Sequence, residues 1–293
     1  MPNPLPPTLE SVCAAALKLP CAPSLLPRLS LALQSDTSSS ADIERLISLD
    51  PSLAAATLRL ANSAAVASHG NVATVEEAVF RLGAKEIYRL AALALVGRWE
   101  STLGPGLRWT AGDFSRHALC TAIAGEVLAR TSEQVDPQVI YTFGLVCDLG
   151  KLALAHGCRD LYPAVRARAE ETKCTWEEAE RAVFGYHHAD AGVRLLKAWN
   201  FPQLFVLAVE HQFQPAKAPA SVQPLLAHLL AAKQLAAAMG PGVLEEGFLT
   251  TVHGAFLKEW GFSEDSLDVA MPVVLEKVTA CLGDKLNEGQ IHP

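Results

Sequence analysis

Clusters of basic residues are missing from this chain. Its 293 residues carry 24 Lys and Arg against 31 Asp and Glu, a net charge of -7, and no Lys/Arg run stands out. A protein that neutralises nucleic-acid phosphates needs such a footprint, so nucleic acid is not an expected partner. Charge of either sign is scarce at 19%, while hydrophobic residues reach 50%. Even so, no stretch attains the ~20 uninterrupted apolar residues of a membrane helix, and no membrane span is expected. The opening MPNPLPPTLE lacks the basic start and apolar core of a secretory signal, which points to the cytoplasm. Paired cysteines are missing too: the seven present are scattered and never spaced C-x-x-C. That argues against a disulfide framework and a structural zinc cluster, leaving reduced thiols that pack as small hydrophobes.

Strand alternation is absent, as is any long-period repeat. What the sequence holds instead is helix grammar. In DIERLISL, Ile43, Leu46 and Ile47 form one apolar stripe. DPSLAAATLRLANSA opens with Asp50 as N-cap and Pro51 in the first turn, where a missing N–H is harmless. TVEEAVFRLG predicts a capping box between Thr74 and Glu77, with Gly83 closing the helix; KEIYRLAALALVGR then runs helical. TWEEAERAVFG repeats the box at Thr175 and Glu178, and DPQVIYTFGLVCDLGK starts with Asp136 as N-cap before Pro137. Asn62 and Ser63 in LANSA read as a helix C-cap or an interhelical hydrogen bond. SDTSSS (35–40) and LGPGLRWTAGD (103–113) read as loops and FQPAKAPA (213–220) as a connector. The expectation is an all-α, multi-helix bundle in three parts: N-terminal helices over 1–105, a helical core over 106–215 and a C-terminal helical extension over 216–293.

One stretch stands out chemically. YTFGLVCDLGKLALAH, residues 141–156, sets Cys147 beside Asp148 in an apolar run, with Lys151 close behind. A buried carboxylate is costly unless paired. Histidines that could pair with it lie far off in sequence: His117 on an amphipathic helix, His187 and His188 in YHHADAG, and His211 in VEHQFQP. A catalytic metal site wants about three His or Asp ligands and one position open to water, and separate helices of a bundle can supply them. Structural pairing and metal binding predict the same neighbours for Asp148, so spacing leaves both open. Cys147 reads as a buried apolar side chain, and Lys151 as snorkelling or pairing with Asp148. Trp109, Trp176, Trp199, Phe201 and Phe213 read as core rather than as a base-stacking platform.

The order His117 … Asp148-x-Gly150-Lys151 … His188 resembles a worn version of the HD superfamily of metal-dependent phosphohydrolases. More specifically, the stretch from about Leu19 to Pro215 resembles the HDOD family, the HD-related output domain of bacterial signalling proteins. The matching segments are LPCAPSLLPRL, ISLDPSLAAATLRLANSA, VATVEEAVFRLGAKEIYRLAALAL, SRHAL, GLVCDLGKLAL and HADAGVRLLKAWNFP. LDPSL…LRLANSA and EEAVFRLG belong to the HDOD pattern rather than to HD enzymes in general. The resemblance implies an HD-like helical core with an N-terminal helical subdomain. It places the first histidine of the pattern on His117 and the His-Asp pair on Cys147 and Asp148, so that histidine is gone. The lysine of the phosphodiesterase branch matches Lys151, and the next ligand matches His188, just after His187. A later His-His pair falls on Gln212 and Phe213, with His211 one residue earlier and about 100° around a helix. The last Asp falls, on a looser alignment, on Ala232. The Gly-Tyr-Pro signature of cyclic-di-GMP phosphodiesterases is absent.

The resemblance therefore implies a remnant pocket of His117, Cys147, Asp148, Lys151, His187 and His188, with no catalytic residue and no cofactor. No metal is expected; a single ion, if any, would use His117, Asp148 and His188. The implied function is a non-enzymatic signal-transduction module in two-component or cyclic-nucleotide signalling. Its partner would be another protein (a receiver, a kinase or a cyclic-dinucleotide enzyme), and a homodimer is conceivable. Two alternatives stay open: a residual metal-dependent phosphohydrolase or phosphodiesterase, and a small-ligand sensor using the former active-site pocket. Residues after Pro215 lie beyond the resemblance and read as further helices that could carry a partner surface.

Overall fold

Capping chemistry sets several of the helix starts. The computed structural model describes residues 6–18, 28–29, 40–48, 51–62, 72–103, 107–108, 112–240 and 252–282. Helix α1 (Leu9–Leu17) begins where the Thr8 hydroxyl accepts from the Ser11 amide at 3.2 Å. Helices α2 (Ser40–Ser48) and α3 (Pro51–Ala61) follow. Asn62, just past α3, bonds both ways with Val72: its Nδ2 donates to the Val72 carbonyl at 2.8 Å and its Oδ1 accepts the Val72 amide at 2.7 Å. The Asn62 side chain thus hydrogen-bonds the segment before the next helix rather than another helix. Helix α4 (Val75–Glu100) opens with the expected capping box. Thr74 Oγ1 accepts from Glu77 N at 3.1 Å, while Glu77 accepts from the amides of Ala73 and Thr74 at 3.0 and 3.4 Å. Gly83 does not close this helix. It sits inside it at φ 75° and ψ 155°, a conformation open to glycine, so the chain kinks there and runs on to Glu100.

Helix α5 (Asp113–Ser132) is the axis of the molecule. Every residue from His117 to Ala129 is buried, so no face of it is left for solvent. Around it pack α4, α6 (Pro137–Val146), α12 (Gln223–Ala238) and α14 (Glu264–Leu282). The start of α5 is held by Glu100, the last residue of α4. Its Oε1 accepts from the amides of Gly112 and Phe114, both at 2.9 Å, and its Oε2 from Ser115 N at 3.2 Å and Ser115 Oγ at 2.6 Å. A carboxylate there meets both the orphan amides and the positive end of the helix. Arg89 of α4 adds a second tie: it donates to Glu126 of α5 and lies 4.5 Å from the ring centre of Tyr141 in α6. Burial pushes the Glu126 carboxyl up, but hydrogen bonds and charge from Arg130 and Arg89 bring it below its ordinary value.

The remaining helices are α7 (Leu149–Gly157), α8 (Tyr162–Thr172), α9 (Trp176–Phe184), α10 (His188–Ala198), α11 (Gln203–His211) and α13 (Gly254–Glu259). Asp136 caps α6 as expected, accepting from Gln138 N and Val139 N at 2.6 and 3.2 Å. At α9 only half of the second box forms: Thr175 N–H donates to Glu178 at 3.0 Å, but the Thr175 hydroxyl is buried without a partner. Helix α7 packs against α10 at Gly150, where a Cβ would fall 1.9 Å from the His188 carbonyl oxygen. The apolar run Pro137–Gly157 is long and apolar enough to cross a membrane, but 89% of its most apolar 18 residues are buried and it breaks into α6 and α7. Among the described residues there is no strand, and Trp176, Trp199 and Phe201 lie in the core. Asp50, Ser63, Trp109 and residues 19–27, 35–39, 104–106 and 110–111, for which caps, loops or family segments were expected, lie outside the described residues.

Candidate functional site

The break between α6 and α7 carries the site. Asp148 occupies it, 3% exposed, so its carboxylate has lost almost all contact with water and needs cations close by. Lys151, one turn along α7, places its Nζ 3.2 Å from Asp148 Oδ2. His117, from the second turn of α5, brings its Nε2 to 3.4 Å from the same oxygen. The other oxygen, Oδ1, accepts from Lys233 Nζ of α12 at 2.7 Å. Lys233 also donates to Gln212 Oε1, just past α11, at 3.0 Å. Burial alone would raise the Asp148 carboxyl. Lys151, Lys233 and His117 outweigh it and hold the group well below the usual carboxylate range. Cys147, alongside, is 3% exposed and directs its thiol to the Gly144 carbonyl at 3.5 Å. Burial, then the charge of Asp148, pushes that thiol up to about 12, so it carries its proton at neutral pH.

His187 and His188 belong to an adjoining cluster. His188 Nδ1 lies 2.7 Å from Glu180 Oε2, which also accepts the His188 amide at 2.9 Å. Glu180 is fully buried, and its Oε1 accepts from Trp176 Nε1 at 3.0 Å. His187 is the N-cap of α10: its Nδ1 accepts from Asp190 N at 3.3 Å, and its amide donates to Asp190 Oδ2 at 2.9 Å. Burial lowers the His187 pKa against the pull of Asp190. Phe213 sets its ring edge-on to both, with centroid distances of 5.1 and 5.4 Å. His211 is turned into its own helix, donating from Nδ1 to the Leu207 carbonyl at 2.9 Å.

Of the six pocket residues expected from the sequence, His117, Asp148 and Lys151 meet directly and Cys147 adjoins them. His187 and His188 have other partners. Two participants were missed. Lys233 is the only Asp, Glu, Lys or Arg in α12, and a lone charge in so apolar a helix demands a counter-charge as Asp148 does. Its neighbour Ala232, where the resemblance put the last Asp, is fully buried beside Gly125 of α5. Glu180 lay hidden among the acidic residues that mark a helix start.

This donor set does not fit a divalent ion. Such an ion needs deprotonated ligands converging on an accessible position. Both oxygens of Asp148 face ammonium groups, Cys147 keeps its proton, and Gln212 and Phe213 stand where the resemblance put imidazoles. Among the described residues no group of three or more His, Cys, Asp or Glu is placed to hold a metal.

Residues 19–215 match the HDOD domain family. The fold is similar to that of an HDOD domain protein of unknown function from Geobacter sulfurreducens, with TM-score 0.72 and 19% identity, over 94% of this chain and 98% of that one. A proposed signal transduction protein from Marinobacter aquaeolei aligns with TM-score 0.67 and 21% identity, over 96% of this chain and 61% of that one. A proposed phosphohydrolase from Shewanella amazonensis gives TM-score 0.63 and 23% identity, over 93% and 94% of the two chains. At these identities the likeness concerns the fold. No curated protein matches this chain.

Proposed function

The chain belongs to the HDOD family, and from that premise we propose that it is a non-enzymatic module of bacterial signal transduction, acting in the cytoplasm through contacts with another protein. The observation that carries this reading is the state of Asp148. Its carboxylate is engaged by Lys151 and Lys233, where phosphohydrolase chemistry would require an accessible metal. A retained fold does not bring its reaction with it. Contact surfaces are available: Phe80 on α4 is 87% exposed, and Val269 and Val273 lie on the outer side of α14. The partner class that suits the family is a receiver, a kinase or a cyclic-dinucleotide enzyme.

The test is metal content by elemental analysis of untagged protein purified without chelator, for wild type and Asp148→Asn. It is paired with hydrolysis of bis(p-nitrophenyl) phosphate in Mn²⁺. The expected result is no stoichiometric metal in either protein and no turnover above buffer. Near-stoichiometric metal that disappears in Asp148→Asn, together with turnover, would overturn the proposal in favour of a metal-dependent phosphodiesterase.

A further inference from the structure

Resting on the reading that Asp148 holds no metal, we propose that the Lys233 ammonium is a built-in replacement for a bound cation, and that removing it opens a cation site. Its Nζ touches two oxygens from separate parts of the chain: Asp148 Oδ1 in the α6–α7 break at 2.7 Å and Gln212 Oε1 beyond α11 at 3.0 Å. The opposite oxygen of Asp148 faces His117 of α5 and Lys151 of α7. One positive charge on α12 thus completes a join of α5, the α6–α7 break and the end of α11. That is the structural work a coordinated ion does, with hydrogen bonds in place of coordinate bonds.

The packing makes the replacement specific. Asp148 is 3% exposed and Gln212 1%, so the oxygens Lys233 reaches have almost no access to water. The Lys233 side chain itself is 20% exposed, so it runs inward from the rim. Truncating it to Ala removes three methylenes and the ammonium. What opens is a narrow channel from the surface to one carboxylate oxygen and one amide oxygen, both of which accept hydrogen bonds from an alkylammonium. Lys151 remains on the far oxygen, so the entering species meets an incompletely neutralised carboxylate.

The experiment uses the full chain. Lys233→Ala is expected to lower Tm by about 10 °C, as for a buried ion pair that loses one partner. Millimolar n-propylammonium, which matches the deleted atoms, should recover much of that loss. Tetramethylammonium at equal ionic strength, which cannot donate a hydrogen bond, should not. The Asp148→Asn/Lys233→Ala double variant should lose this rescue. An unchanged Tm in Lys233→Ala, or equal rescue of the double variant, would overturn the inference. If Lys233→Ala does not fold, Lys233→Met keeps the aliphatic stem and permits a denaturant cycle with Asp148→Asn. Coupled losses support the inference and additive losses refute it. Wild type that binds Mn²⁺ and hydrolyses the phosphodiester would instead sink the proposed function, whereas an unrescued variant in a metal-free wild type sinks only this inference.

Discussion

At the scale of single residues, Asp148 links stability to pH. Its folded pKa lies below its ordinary value, because Lys151, Lys233 and His117 overcome the effect of burial. The unfolded chain therefore takes up the proton first. The stabilisation from this group is complete above the unfolded value of about 3.9 and is lost as pH falls toward and through the depressed folded value. Wild type should thus lose Tm more steeply than Asp148→Asn below about pH 4, with the two curves converging in strong acid. Equal slopes in a pH series of thermal melts would contradict the pairing. The sequence made this residue conspicuous because burying a carboxylate is costly wherever it sits. It also foresaw the Lys151 partner, one helical turn away. Lys233 was out of reach because its partner lies far away in sequence: 85 residues separate it from Asp148. Glu180, whose partners Trp176 and His188 are four and eight residues away, was masked by the acidic residues around it. Nothing local distinguishes a salt-bridged lysine from a snorkelling one.

At the scale of elements, caps were the most legible feature, since a capping box or an Asp-Pro start closes within about four residues. The boxes at Thr74 and the cap at Asp136 formed as read. Gly83 misled because the same residue that ends a helix can kink one when apolar helix-forming sequence continues beyond it. The Thr175 box formed only from its Glu178 side. Glu100 was invisible beforehand: it serves α5 from the end of α4, 12 to 15 residues from the amides it meets, and no motif announces a cap supplied by another helix. Glu100→Ala leaves the amides of Gly112, Phe114 and Ser115 without this acceptor. It should cost about 2–3 kcal/mol in denaturant unfolding, with Glu100→Gln milder because it retains an acceptor oxygen. Equal stability of wild type and Glu100→Ala would show that the carboxylate does not hold the helix start.

At the scale of the whole molecule, the all-α architecture followed from composition and periodicity, but which helix meets which did not. The site draws on α12, beyond the end of the family match at residue 215, because Lys233 completes the set around Asp148. His228 on the same helix is also fastened to the core. Its Nδ1 donates to the Pro224 carbonyl at 2.7 Å, and its Nε2 accepts from the Ser132 hydroxyl at the end of α5 at 2.6 Å. A chain ending at residue 215 would expose the apolar flank of α5 that α12 covers and leave Asp148 short of a cation. It should be rapidly proteolysed and lack near-ultraviolet circular dichroism, while the full chain resists and shows it. A truncated chain that melts cooperatively would refute this.

The enclosure of α5 also bears on how the sequence can change. From His117 to Ala129 each position is bounded on every side, so a substitution there must preserve volume or move several helices at once. The outer positions of α4 and α14 carry no such constraint. Variation among descendants of this chain is thereby channelled to its exterior, where new partners can be acquired while the interior stays unaltered.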